Sequence, residues 1–177
     1  NEDNLLGCGA LTKQDNGLTH LGKAYVQKLD EKKMIVDVSH SSEKTFWDAM
    51  RINEGPIVAT HSCCYSLCQH PRNLKDEQIK QIAKSDGIVG VCYCTNFLSK
   101  TGIAGTKEIA EHIAYIANLV GIDYVGVGSD FDGLDEEEIL TDLKNIGQIE
   151  NLVQELRKIG FHEDEMEKIM GKNWVRV

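Results

Sequence analysis

The stretches MIVDVSH (residues 34–40) and PIVATHS (residues 56–62) decide how this chain folds. Each contains a short run rich in β-branched residues, about the length of a buried parallel strand, with helix-forming sequence on both sides. One run leads into His40 and the other into His61. Histidines at the carboxyl ends of neighbouring parallel strands point into the same mouth, where α/β barrels and open α/β sheets keep their chemistry. Either histidine alone could be an ordinary polar loop residue. Two at equivalent positions point to a divalent metal such as zinc, for which neutral imidazole is a common ligand.

Outward from these runs the chain alternates helix and strand. Residues 18–31 form an expected helix capped by Thr19, with Leu21, Ala24, Tyr25, Lys28 and Leu29 on one face. The first strand is 34–38, a helix spans 42–52, and Asn53-Glu54-Gly55-Pro56 turns the chain into the second strand, 56–60. A loop through His70-Pro71-Arg72-Asn73 leads to a helix over 75–85 with Ile79, Ile82 and Ala83 inward, then to a third strand, IVGVCY (88–93). A helix from Thr106, as N-cap, to Val120 carries Ile109, Ile113, Ile116 and Ala117 at helical spacing, and YVGVG (124–128) is the fourth strand. Acidic helices over 145–159 and 163–170, separated by Gly160, complete the pattern.

Such alternation implies an α/β fold with parallel strands and right-handed crossovers. A (β/α)8 barrel takes roughly 250 residues. Four strand–helix units are therefore a small open sheet or half a barrel, with the first and last strands each leaving an edge to be covered.

At 177 residues, 41% hydrophobic and 27% charged, the chain reads as one globular unit, residues 1–177 forming a single partial domain. Its net charge of −9 argues against nucleic acid and against an anionic membrane surface as partners. No apolar run has transmembrane length and no cationic, apolar leader opens the chain. It begins at Asn1 rather than Met, as an internal piece of something longer would. The six cysteines, at 8, 63, 64, 68, 92 and 94, read as free thiols in a reducing compartment. A thiolate metal or redox module built from Cys63, Cys64, Cys68 and Cys92-x-Cys94 is the weaker reading, because paired CxxC knuckles are missing.

Two more residues belong on the rim with His40 and His61. Asp130, in SDFDG (129–133) after the fourth strand, could serve only as a turn cap; beside two histidines it can instead hold or deprotonate a metal-bound water. Arg72, eleven residues after His61, offers a guanidinium fork for a carboxylate. His20, His112 and His162 fall on helices and are expected at the surface. His70 has no clear role, and Asp37, inside a strand and sharing a face with Ser39, reads as a structural hydrogen-bonding residue. Two histidines fall short of the three protein ligands usual at a catalytic zinc.

The segments GLT (17–19), DVSH (37–40), ATHS (59–62), HPRNL (70–74), GVGSDFDG (126–133) and GKNWVRV (171–177) together resemble the carboxyl half of the membrane, or renal, dipeptidase family along essentially the whole chain. That resemblance implies an amidohydrolase-like (β/α)8 barrel and zinc-dependent hydrolysis of dipeptides by a metal-bridging hydroxide. It makes His40 and His61 ligands of one of two zinc ions, Arg72 the partner of the dipeptide's free carboxylate, and Asp130 both the catalytic proton shuttle and a contact of the substrate amino group. The family's HisXaaAsp pair, bridging glutamate and substrate-binding histidine have no counterpart here, so only part of one ion's ligands is present. The resemblance thus implies either a missing amino-terminal half or a homo-oligomer that completes the site. A catalytically silent half-barrel that self-associates and binds at most one metal is the alternative. Cys68 has no partner at the distance used by the disulfide-bonded, lipid-anchored animal members, which points to a bacterial-type, cytoplasmic member.

Overall fold

In the computed structural model, which describes residues 1–177, four short parallel strands stand side by side. They are β1 (Val36–Asp37), β2 (Ile57–Val58), β3 (Val89–Val91) and β4 (Val125–Val127). Val36 pairs with Ile57 and Asp37 with Val58, while Val89, Gly90 and Val91 pair with Val125, Gly126 and Val127. A single parallel bridge, Ala59 to Val89, joins the two pairs, with Ala59 N donating to Ile88 O (3.0 Å) and Gly90 N to Ala59 O (2.8 Å). The order is therefore β1-β2-β3-β4, all parallel.

The helices are α1 (His20–Glu31), α2 (Glu43–Ile52), α3 (Asp76–Lys84), α4 (Thr95–Leu98), α5 (Thr106–Val120), α6 (Glu150–Lys158), α7 (Glu163–Glu167) and α8 (Asn173–Arg176). Thr19 caps α1 by accepting from Gly22 N, and Ser42 caps α2 by accepting from Thr45 N. Thr106 is not the cap of α5: Gly105 holds that position. Thr106 is buried, and Asp142 reaches back to accept from both its backbone N (2.9 Å) and its hydroxyl (2.7 Å). The expected helix over 145–159 begins with a 3-10 turn, Ile146–Gln148. The last one continues past residue 170 through a wide turn, Lys168–Lys172, into α8.

The core lies between strands and helices: Ile57, Ala59, Val89 and Val125 meet Ile79 and Ile82 of α3 and Ile109, Ile113 and Ile116 of α5, all essentially inaccessible. Burial of the valine and isoleucine side chains contributes about 1.5–3 kcal/mol each before entropy is charged against it. On the alternate register positions Gly90 and Gly126 leave room for the indole of Trp174; a Cβ would sit 2.8 Å from its ring at Gly90 and 2.7 Å from its Nε1 at Gly126. Trp174 Nε1 donates to Val127 O, and Asn173 Nδ2 to the carbonyls of Ile122 and Val125. Arg176 donates to the carbonyls of Asp86, Gly87 and Asp123. The carboxyl-terminal segment thus fastens the loops that enter β3 and β4.

The β1 side is less covered. The expected strand 34–38 shortens to two residues, and Met34 and Ile35 are 57% and 50% exposed. On α1 the buried residues are Gly22 and Val26, while Leu21 and Tyr25, on the face picked out by helical spacing, are exposed. The cause is a close approach, since a Cβ on Gly22 would lie within 1.9 Å of Leu6 O, and that contact turns the Leu21 face away from the sheet. A cavity of about 280 Å³ lined by Leu6, Val26, Leu29, Ile35 and Val36 runs along this edge.

Candidate metal and substrate site

Parallel pairing of β1 with β2 carries His40 and His61 to one end of the sheet, and their rings meet: Nε2 to Nε2 is 2.7 Å, with centroids 4.8 Å apart. Each Nδ1 has its own oxygen partner. For His40 it is Asn1 Oδ1 at 2.9 Å, with the Asn1 amine at 3.3 Å, and for His61 it is Thr60 Oγ1 at 2.8 Å. Burial, then the charges of Arg72 and His61, pull His40 down to about 4. Burial also lowers His61, with Asp130 opposing and Arg72 adding to the shift. Both imidazoles are thereby held neutral at pH 7. Two neutral rings with nitrogens 2.7 Å apart need one proton or one cation between them, and that donor chemistry fits a divalent metal.

Asp130 approaches from β4, its Oδ2 3.9 Å from His61 Nε2. It is one of three non-glycine residues with positive φ (59°), a conformation that aspartate tolerates better than most residues. A Cβ at Gly133 would lie 2.5 Å from the Asp130 carboxylate, so the glycine leaves that side chain its space.

Arg72 is 3% exposed. Its Nη2 donates to His61 O at a long 3.5 Å, while Nε and Nη1 have no partner. The guanidinium lies 5.3 Å from the centre of the Phe97 ring. Burial lowers its pKa, with Cys92, Asp130 and Asp37 opposing. His70, without a role on sequence grounds, accepts from Arg72 N (3.2 Å) and stacks on Phe97 (4.6 Å), holding the loop that presents the guanidinium.

The structure therefore brings His40, His61, Asp130 and Arg72 to one rim. No group of three or more metal-capable His, Cys, Asp or Glu side chains converges anywhere, at the cysteines or here, so the histidine pair is an incomplete ligand set. His112 departs from expectation. It is 1% exposed, with Nδ1 accepting from Cys64 N (3.0 Å) and Nε2 donating to Leu98 O (3.2 Å), and burial pushes it down to about 4. Its place at helical spacing between Ile109 and Ile116 was the available signal. Asp37 is a hydrogen-bonding residue, as expected, but its partners reach the site: its carboxylate accepts from the backbone N and hydroxyl of both Ser39 and Thr60.

Known proteins resemble this chain over nearly its whole length. The family model for membrane dipeptidase, peptidase family M19, matches residues 2–177. An uncharacterised protein in the pqqA 5' region of Klebsiella pneumoniae is 38% identical over 91% of this chain and 60% of its own length. Dipeptidase ataJ of Aspergillus terreus is 39% identical over 81% of this chain and 35% of its own. A metallo peptidase from Rhodobacter sphaeroides, solved with a phosphinate mimic of the dipeptide L-Ala-D-Ala, superposes with a TM-score of 0.88 at 32% identity, covering 96% of this chain and 50% of that one. Dipeptidase AC, a metallo peptidase of family M19, gives the same score and identity over 52% of its length. The chain spans between about a third and three fifths of the length of these curated relatives. Their family is one of metallodipeptidases, and by the match across residues 2–177 this chain belongs to it: the membrane dipeptidase family, M19.

Proposed function

We propose that this chain is the carboxyl-terminal half of a (β/α)8 barrel whose complete form hydrolyses dipeptides with zinc, the amino-terminal half supplying the remaining ligands. Support for a half-barrel comes from the four-strand parallel order with β1 and β4 each paired on one side, and from the apolar, uncovered β1 flank. His40 and His61 would hold one metal ion through their Nε2 atoms. A divalent cation there supplies Lewis acidity toward water and the peptide carbonyl. Arg72 takes the substrate's free carboxylate, Asp130 pairs with its amino group, and Asp130 also accepts the proton of the attacking water and returns it to the leaving amine.

The observation that carries this reading is the guanidinium of Arg72, buried beside the histidine pair with Nε and Nη1 unpartnered. Leaving buried charged donors unmade costs about 1–3 kcal/mol or more, and a carboxylate offers the bidentate geometry that relieves it. The L-Ala-D-Ala mimic bound by the Rhodobacter sphaeroides relative makes alanyl dipeptides the first substrates to try.

The test compares alanyl dipeptides with their carboxyl-terminal amides, with zinc content measured on the same assembled sample. The reading requires at least one zinc per chain, and hydrolysis of the free acid about thirty- to a hundred-and-fiftyfold faster than of the amide, the difference one charge-assisted bidentate pair makes at about 2–3 kcal/mol. Equal rates for acid and amide would remove Arg72 from substrate binding. Zinc-free, inactive protein would leave a silent half-barrel.

A further inference from the structure

Counting the protons around Asp37 fixes the state of His61. Asp37 Oδ2 accepts the Thr60 hydroxyl at 2.6 Å, and Asp37 Oδ1 accepts the Ser39 hydroxyl at 2.7 Å together with the backbone N–H groups of Ser39 and Thr60. A carboxylate only accepts, so both hydroxyl protons point at it. Ser39 Oγ and Thr60 Oγ1, 3.2 Å apart, then have no proton to share. Each is left as an acceptor: Ser39 Oγ takes the His61 backbone N–H (3.1 Å), and Thr60 Oγ1 takes whatever His61 Nδ1 presents at 2.8 Å. That can only be an N–H. His61 therefore carries its proton on Nδ1, and its Nε2 lone pair faces His40. His40 can donate to it from its own Nε2 or yield the place to a cation; His61 has the same tautomer either way.

We propose that Asp37, acting through the Thr60 hydroxyl, is a positioning residue that locks the tautomer of His61 and thereby sets the affinity of the site for its metal. The inference rests on the metal-site reading above and extends it to two residues outside the ligand set. The relay has a direction. In Asp37→Asn, the oxygen that accepts three hydrogen bonds stays and the new amide group faces Thr60 as a donor. The Thr60 hydroxyl, displaced from the carboxylate, then turns to the nearer of its remaining acceptors, His61 Nδ1 at 2.8 Å rather than Ser39 Oγ at 3.2 Å, which moves the imidazole proton to Nε2, where the metal would bind.

The experiment reads the tautomer in the metal-free chain from the 15N shifts and couplings of labelled histidine at pH 7.5, and the zinc affinity by chelator competition. The wild type and Thr60→Ser should show His61 protonated on Nδ1. Asp37→Asn should show it protonated on Nε2, and Thr60→Val should lose the preference. Zinc affinity should fall about ten- to hundredfold in Asp37→Asn and Thr60→Val, and should be restored in Thr60→Ser. An unchanged tautomer in Asp37→Asn and Thr60→Val, or zinc affinity within twofold of wild type, would overturn the relay. Should Asp37→Asn fail to fold, the Thr60 pair decides alone. A wild type that binds no zinc overturns the metal-site reading, while the tautomer measurement still judges the relay on its own.

Discussion

Acid should weaken this fold through His112, and the structure gives the size of the effect. Folded His112 resists protonation because its Nδ1 lone pair is occupied by Cys64 N–H and the ring is out of contact with water. An unfolded histidine takes up its proton near 6.5, whereas in the fold burial delays this to about 4. Between those values the unfolded chain binds more protons, so stability is complete above about 6.5 and is lost as pH falls. The full difference is about 3 kcal/mol, of which about 2.5 kcal/mol is expressed by pH 4.5. His112→Asn keeps an acceptor near Cys64 N but does not titrate. The assay is urea unfolding followed by tryptophan fluorescence at pH 7.5 and 4.5 for both proteins. The variant should be less stable at pH 7.5, because Leu98 O loses its donor, and should lose about 2.5 kcal/mol less than wild type on acidification. His40, His61 and His70, also held down by burial, remain in both chains and cancel in the comparison. Parallel loss of stability in the two proteins would refute the reasoning.

Two further outcomes follow from the packing. Arg72→Met should leave stability unchanged or raise it by about 1–3 kcal/mol, since it removes a buried cation with unpartnered donors, while the affinity of the assembled enzyme for carboxylate-bearing dipeptides falls at least about a hundredfold; denaturant midpoints and substrate KM check the two halves separately. Gly126→Ala should cost about 1–3 kcal/mol by driving a methyl into Trp174, and a shift of the indole emission together with a lowered Tm would register it.

Much of this was legible in the chain itself because strand runs ending in histidine and the isoleucine stripes of α3 and α5 are local signals. The α/β alternation and the meeting of His40, His61, Arg72 and Asp130 on one rim follow from them. Strand length was not legible: 34–38 is apolar apart from Asp37, yet Met34 and Ile35 are half exposed on the β1 flank and fall outside the strand. The inward face of α1 was misread because hydrophobicity pointed to Leu21 and Tyr25, whereas the contact with Leu6 depends on Gly22 lacking a side chain. Asp142 capping α5 from 36 residues away, and Asp37 reaching Thr60 across the β1–β2 pair, are products of tertiary pairing that no linear spacing reveals.

All six thiols are buried and unpaired, and burial drives those of Cys63, Cys64, Cys92 and Cys94 well above the ordinary cysteine value. Alkylating reagents attack an accessible thiolate, so the native protein presents them with almost nothing, and each labelling event records an opening of the structure. Cys8 sits in the segment before α1, Cys63, Cys64 and Cys68 beyond β2, and Cys92 and Cys94 beyond β3. Six built-in clocks are therefore distributed along the molecule, and the order in which they are struck gives the order in which its parts come undone.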